Sequence, residues 1–349
     1  MTTTTIDLHD IATVLLYEYK TSESRFKHSR LREINDTSKP RSALPPHIPL
    51  PELDNLPLSI PVNGYFLLDD GIADAVDNMP AIELASFKHP EFTNNSSVKV
   101  TDAELEKIYW QCKHHDSGYT LAHAIQLVLD NLPSSVQLRV RTSQGHTMTI
   151  TPTAFAIAEL QVVSHSTTYI CKITNQPQLG PSKVSLGQYL TGSDGPFPWV
   201  YLVFGDEKVA NVDLDKDGRV ALDLASLLLG MRGRGGEIFV MERLEDYHST
   251  KLLPAFADDV GDVILSGRIV PGSSGRHAEY GRAVALSKRV LARLEKIVDG
   301  AGDFCAYCGK ESAKARCSVC RGALFCDKGC QSKAWKYHKR WCKSDAGSA

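Results

Sequence analysis

Seven of the nine cysteines of this 349-residue chain lie between Cys305 and Cys342, spaced as metal chelators are. The segment reads Cys305-x2-Cys308-x8-Cys317-x2-Cys320-x5-Cys326-x3-Cys330-x7-His338-x3-Cys342. A Cys-x2-Cys step lets two thiolates reach one ion from a tight turn. An i,i+4 pair such as Cys326/Cys330 or His338/Cys342 puts both ligands on one side of a helical turn. Eight such ligands match two closed tetrahedral zinc sites, and closed sites are structural rather than catalytic. Four chelating pairs can be combined into two sites in three ways, and spacing does not choose among them. A module of under about 40 ordered residues buries too little apolar surface to fold unaided. Two zinc ions, each contributing on the order of 10 kcal/mol, supply what is missing.

The rest of the composition is ordinary: 42% hydrophobic and 23% charged residues, with a net charge of -2. It argues against a disordered or fibrous chain and gives no global reason for a nucleic-acid or anionic-membrane surface. No apolar run is long enough for a spanning helix, and the start, Met1-Thr-Thr-Thr-Thr-Ile-Asp, lacks an export signal. An intracellular protein of cytoplasm or nucleus, with metal-bound rather than disulfide-bonded cysteines and no membrane association, is the expectation. Residues 301–349 carry a formal +6 against -8 for the remainder. Two zinc ions and seven thiolates reduce that surplus to about +3.

Three regions are expected: a helix plus proline-rich arm over 1–61, an α+β domain over 62–300, and the zinc module over 301–345. Residues 6–19 read as a short helix with Leu8, Ile11 and Leu15 on one face. Seven prolines between Pro40 and Pro61 make 20–60 an extended linker or arm. Thr101 and Glu104 form a capping box for a helix that Gly118 would stop, and a second helix is expected at 121–132. Val136, Leu138 and Val140 alternate with polar residues, and Met148 and Ile150 resume beyond Gly145, which predicts a hairpin. Further strands are expected at 159–164, 167–174, 199–204 and 237–242. A last helix, near 277–298, carries Leu286, Val290, Leu294 and Ile297, and 299–303 would be a hinge. Helices flanking mostly hairpin-like strands give an α+β fold, mixed helix and antiparallel sheet.

The Cys7His order and spacing of 305–342, with Trp335 inside the x7 gap, resemble a MYND-type zinc finger. A RING finger would place its histidine earlier, and a HIT-type finger has a shorter gap. The resemblance implies interleaved pairing: one zinc on Cys305, Cys308, Cys326 and Cys330, the other on Cys317, Cys320, His338 and Cys342. It also implies recruitment of a protein partner through an extended, proline-containing peptide held by Ser318, Gln331 and Trp335. An indole gives proline a flat apolar face, while hydroxyl and amide groups fix the strand. Residues 43–62, with Pro45-Pro46-His47-Ile48-Pro49, are a candidate peptide from the chain itself. The resemblance covers about 38 residues and leaves 62–300 unidentified.

An adaptor or scaffold is therefore the leading expectation, leaning away from an enzyme. The alternatives are an enzyme of unknown type in 62–300 targeted by the finger, and nucleic-acid or transcription-associated binding. The nucleic-acid reading would use Lys333, Lys336, Lys339, Arg340 and Lys343 interleaved with Trp335, Tyr337 and Trp341. Other motifs carry less. Asp213-Leu-Asp215-Lys-Asp217-Gly218 opens like a calcium loop but has Leu224 where a bidentate Glu is required, so a hairpin turn fits better. His114, His115 and His123 read as helix residues, and Cys112 and Cys171 as core thiols. The glycines at 230–236 and the turn 271–276 fit no phosphate loop. The finger stands after 62–300, whereas methyltransferase relatives insert it within the catalytic domain. Cys317→Ser is expected to hold fewer than two zinc ions by elemental analysis and to unfold the finger while 62–300 stays folded. Retention of both ions would contradict the ligand reading.

Overall fold

The computed structural model describes residues 4–36, 62–69, 81–175, 184–192, 195–205, 218–256, 263–270, 277–298 and 303–342. Strand β1 (Thr4–Asp7) leads directly into helix α1 (Leu8–Ser22). Leu8, Ile11, Ala12, Val14, Leu15, Leu16 and Tyr19 of α1 are all buried. A helix apolar on nearly every side belongs in the interior, and α1 packs against α3 (Gly118–Asp130) and α6 (His277–Val298). The expected arm over 20–60 is corrected at its start. Residues 20–22 end α1, and β2 (Ser29–Asp36) is an inner strand of a five-stranded sheet. Buried Leu31 and Ile34 hold it there, but alternation was masked by Arg30, Arg32 and a fully buried Glu33. The proline run itself, and 43–61 of the candidate self-peptide, lie outside the described residues.

The fold is α+β. In the first five-stranded sheet, β2 pairs parallel with β4 (Lys88–Asn95) and antiparallel with β3 (Val62–Asp69). From β3 the sheet continues parallel to β8 (Thr167–Asn175) and then antiparallel to β9 (Val184–Thr191). The predicted hairpin is β5 (Val136–Arg141) with β6 (Thr147–Ile150), and β1 joins it parallel to β5. The second five-stranded sheet is antiparallel, in the order β12 (Val240–Arg243), β11 (Val220–Asp223), β10 (Phe197–Phe204), β7 (Phe155–Val162), β13 (Ile264–Ser266). A helical stretch follows β12: α4 (Leu244–Tyr247), a π-helical turn (His248–Leu252) and α5 (Leu253–Ala255). β10 and β11 are antiparallel neighbours, with Phe204 opposite Val220; the acidic run at 213–217, expected as a hairpin turn, lies between them in sequence. That run is outside the described residues.

Helix α2 (Asp102–Lys113) begins as expected, with the Thr101 hydroxyl accepting from the Glu104 amide at 3.2 Å. Gly118 does not stop it. The helix ends at Lys113 and Gly118 opens α3, where a Cβ would stand 3.1 Å from Val200 Cγ1 on β10. A glycine there serves a close helix-to-strand approach rather than a C-cap. His114 and His123 are buried, as are the thiols of Cys112 and Cys171. Burial pulls His114 down to about 3 and pushes Cys112 up to about 12.

Below the antiparallel sheet a second apolar cluster gathers Trp199, Tyr201, Tyr247 and Phe256 around the fully buried Asp223. Asp223 accepts from Tyr247 Oη at 2.9 Å, Trp199 Nε1 at 3.2 Å and the Ala225 amide at 2.9 Å. Burial nonetheless pushes its carboxyl up to about 7, against these donors. The unfolded carboxyl titrates near 4, so between about pH 4 and 7 the native state binds the extra proton. Its stabilising contribution is present below that window and is lost as pH rises through it. The stability advantage of wild type over Asp223→Asn should be about 2 kcal/mol larger at pH 5 than at pH 7 in urea unfolding. An advantage independent of pH would contradict the assignment.

Candidate metal centre

The C-terminal module is built from a two-stranded sheet, β14 (Ala315–Arg316) with β15 (Leu324–Phe325), and helix α7 (Lys328–Trp341). Each strand delivers its chain into a cysteine, Cys317 after β14 and Cys326 after β15. Asp327 caps α7 by accepting from the Cys330 amide at 2.8 Å, which fixes Cys330 in the first turn. The Cys-x2-Cys turns are closed by Gly309 N donating to Cys305 O at 2.9 Å and Arg321 N to Cys317 O at 3.1 Å. Both closing residues are left-handed, Gly309 at φ +76° and Arg321 at φ +57°. Gly309 could be nothing else, because a Cβ there would collide with Thr13 O of α1.

These elements bring the eight residues together as two sets. The ligand atoms of Cys305, Cys308, Cys326 and Cys330 lie within 4.8 Å of one another, and so do those of Cys317, Cys320, His338 and Cys342. Cys308 and Cys326 sulfurs are 3.6 Å apart, as are those of Cys317 and Cys342, and Cys320 Sγ is 3.5 Å from His338 Nε2. Zinc–sulfur bonds of about 2.3 Å in a tetrahedron place sulfurs about 3.8 Å apart. The sets therefore fit an ion each and are far too open for disulfides. The Cys308 and Cys330 thiols hold Cys305 well below the ordinary thiol range and are themselves driven up in return, Cys330 most strongly. Four crowded thiols cannot all ionise without a cation, and zinc is the charge that would permit it. With four protein ligands each, the two zinc sites are closed and structural.

Around them stand the three expected peptide residues: Ser318 exposed in the second Cys-x2-Cys turn, Gln331 half-buried, and Trp335 43% exposed. Trp335 lies one turn beyond Gln331 on α7, its ring centroid 6.1 Å from that of His338. It borders the second metal set without being buried by it.

The other aromatics of α7 have a use that spacing did not reveal. Tyr337 is buried and stacks on His9 of α1, centroids 4.0 Å apart and planes 11° from parallel. The Arg141 guanidinium lies over the Trp341 ring at 5.3 Å. Lys333 pairs with Glu106 of α2 at 3.3 Å, and Arg340 donates to Gln144 O at 3.2 Å. On the opposite side Arg293 of α6 donates to Gly309 O at 2.5 Å. The finger is thus docked on the rest of the protein. A sequence signal existed: Ala334, Tyr337 and Trp341 recur at i, i+3 and i+7 on one helical stripe. Residues 299–302 of the expected hinge are outside the described residues.

Comparison with known proteins agrees with this geometry. Residues 305–342 match the MYND finger family. A MYND-type zinc finger protein samB of Aspergillus clavatus is 36% identical over 99 residues, covering 27% of this chain and 16% of that protein. The samB proteins of Aspergillus terreus and Aspergillus niger are 34% identical over 97 residues, covering 26% of this chain and 15% of each relative. The chain thus aligns with about a sixth of the length of these relatives. The aligned stretch of 97–99 residues is longer than the 38 residues that match the family model. No solved structure matches. Residues 305–342 form a MYND finger, a zinc-binding protein-interaction module. No helix among the described residues is long and apolar enough to cross a membrane.

Removing the Tyr337 ring leaves a void against His9. Tyr337→Ala should cost about 3 kcal/mol in the docked unit and raise hydrogen exchange in α7 and the start of α1, with two zinc ions retained. Unchanged exchange at α1 would show that the stack does not hold the finger.

Proposed function

We propose that the protein is an adaptor whose finger recruits a partner by laying an extended, proline-containing peptide across Ser318, Gln331 and Trp335. The observation that carries this is the division of α7. Tyr337 and Trp341 are spent on the body of the protein, whereas Trp335 is left outward as a large apolar face beside Gln331. Val319, next to Ser318, is 53% exposed and extends the apolar surface on the other flank of the same metal set. A solvent-facing indole with amide and hydroxyl groups nearby suits a proline-rich strand, whose preformed extended backbone loses little entropy on binding. The sites themselves do no chemistry, since all four positions of each are filled by protein.

Nucleic acid is the poorer ligand for this helix. Lys333 and Arg340 are engaged by the protein itself, and Tyr337 is buried where no base could stack on it. Calorimetric titration of the zinc-loaded full chain with proline-rich peptides should show saturable binding, weakened at least tenfold by Trp335→Ala and by Gln331→Ala. Both variants should keep two zinc ions. Binding unaffected by Trp335→Ala would reject this surface.

A further inference from the structure

Docking of the finger closes a cleft of about 430 Å³ that neither part forms alone. The body supplies Asp7 and Asp10 at the start of α1 and Arg139 and Arg141 on β5, while the finger supplies Arg316, Arg321 and the Trp341 indole. Asp7 is nearly buried and serves both body arginines. It accepts from Arg139 Nε and Nη2 at 3.1 and 2.6 Å, and from Arg141 Nε and Nη2 at 3.0 and 2.7 Å. One carboxylate is therefore shared by two guanidinium groups. Arg316 and Arg321 are exposed and have no carboxylate partner among the described residues; Arg316 Nη1 reaches only Arg321 O, at 3.4 Å. Four guanidinium groups thus face two carboxylates. The formal -1 of a zinc bound by three thiolates and a histidine still leaves the lining positive.

Arg321 occupies the turn position that Gly309 fills in the first knuckle, and it does so at φ +57°. A left-handed non-glycine residue carries strain, and here it carries a cation on the rim of the cleft. Leu324 and Phe304 add apolar wall beside Trp341.

We propose that this cleft binds an acidic, extended segment of a protein partner, with carboxylates on Arg316 and Arg321 and an apolar side chain against Trp341 and Leu324. Planar guanidinium forks match carboxylates in paired hydrogen bonds. The carboxylates of Asp7 and Asp10 in the same lining oppose a continuous phosphate backbone. The proposal is independent of the proline-peptide reading, because Ser318, Gln331 and Trp335 do not line the cleft.

The test uses the zinc-loaded full chain and fluorescein-labelled acetyl-Asp-Glu-Asp-Leu-Glu-Asp-amide, followed by anisotropy at low salt. Saturable binding is expected, with none by the Asn/Gln counterpart. Arg316→Glu with Arg321→Glu should weaken it at least tenfold, and Arg139→Gln, a change on the body alone, about threefold. The exposed Lys328→Glu should leave it unchanged. Two zinc ions per chain in each variant exclude a misfolded finger. No saturable binding, equal loss in Lys328→Glu, or displacement of the peptide by inorganic phosphate or a short oligothymidylate at lower concentration than by unlabelled peptide would overturn the proposal.

Discussion

Two fourfold ligand sets, each gathered within 4.8 Å, are the constraint on which residues 305–342 depend. The module's own apolar interior is slight, with Ala313, Phe325 and Ala334 buried among the cysteines. Such a core cannot offset the conformational entropy of ordering the chain. Metal coordination supplies the difference and fixes geometry as well as stability. It joins the turn at Cys305–Cys308 to the start of α7, and the turn at Cys317–Cys320 to its end. A helix held at both ends has a fixed rotation about its axis.

That rotation decides what each side chain of α7 does. Ala334, Tyr337 and Trp341 face the body, where Tyr337 meets His9 and Trp341 meets Arg141. Gln331 and Trp335 are turned away from this contact. A single helix therefore joins a buried docking stripe to an exposed stripe, and His338 of the second metal set lies between them. Docking also sets the finger's arginines opposite those of β5, creating a cleft whose charge neither part has alone. A finger on a free tether would present its exposed face in any orientation; here α1, α2 and β5 fix it.

Legibility in the sequence followed the range of the signal. The strict alternation of 136–150 became the β5–β6 hairpin, and the apolar stripe from Leu286 to Leu294 became α6. Both patterns are made by residues within a few positions of one another. In the sequence β2 looks like part of an arm because Arg30, Arg32 and Glu33 hide its buried Leu31 and Ile34. Only pairing with β3 and β4, from distant parts of the chain, makes it a strand. Gly118 looks like a helix stop in the sequence because its close approach to β10 is invisible without the sheet.

The sequence alone determined the identity and number of the metal ligands. Chelation by Cys-x2-Cys turns and i,i+4 pairs is local, so spacing suffices to reveal it. It also determined that these sites would be closed, and hence that the metals themselves are structural. Spacing left three ways of combining the chelating pairs, and a family resemblance favoured the interleaved one. Tertiary structure alone shows which turn meets which end of α7, because that depends on the path of β14 and β15 through space. It also decided which aromatic residues are free. Tyr337 and Trp335 stand two positions apart on one helix, yet one is buried against His9 and the other is exposed. Their difference comes from a docking contact with residues more than three hundred positions away, which no local pattern encodes.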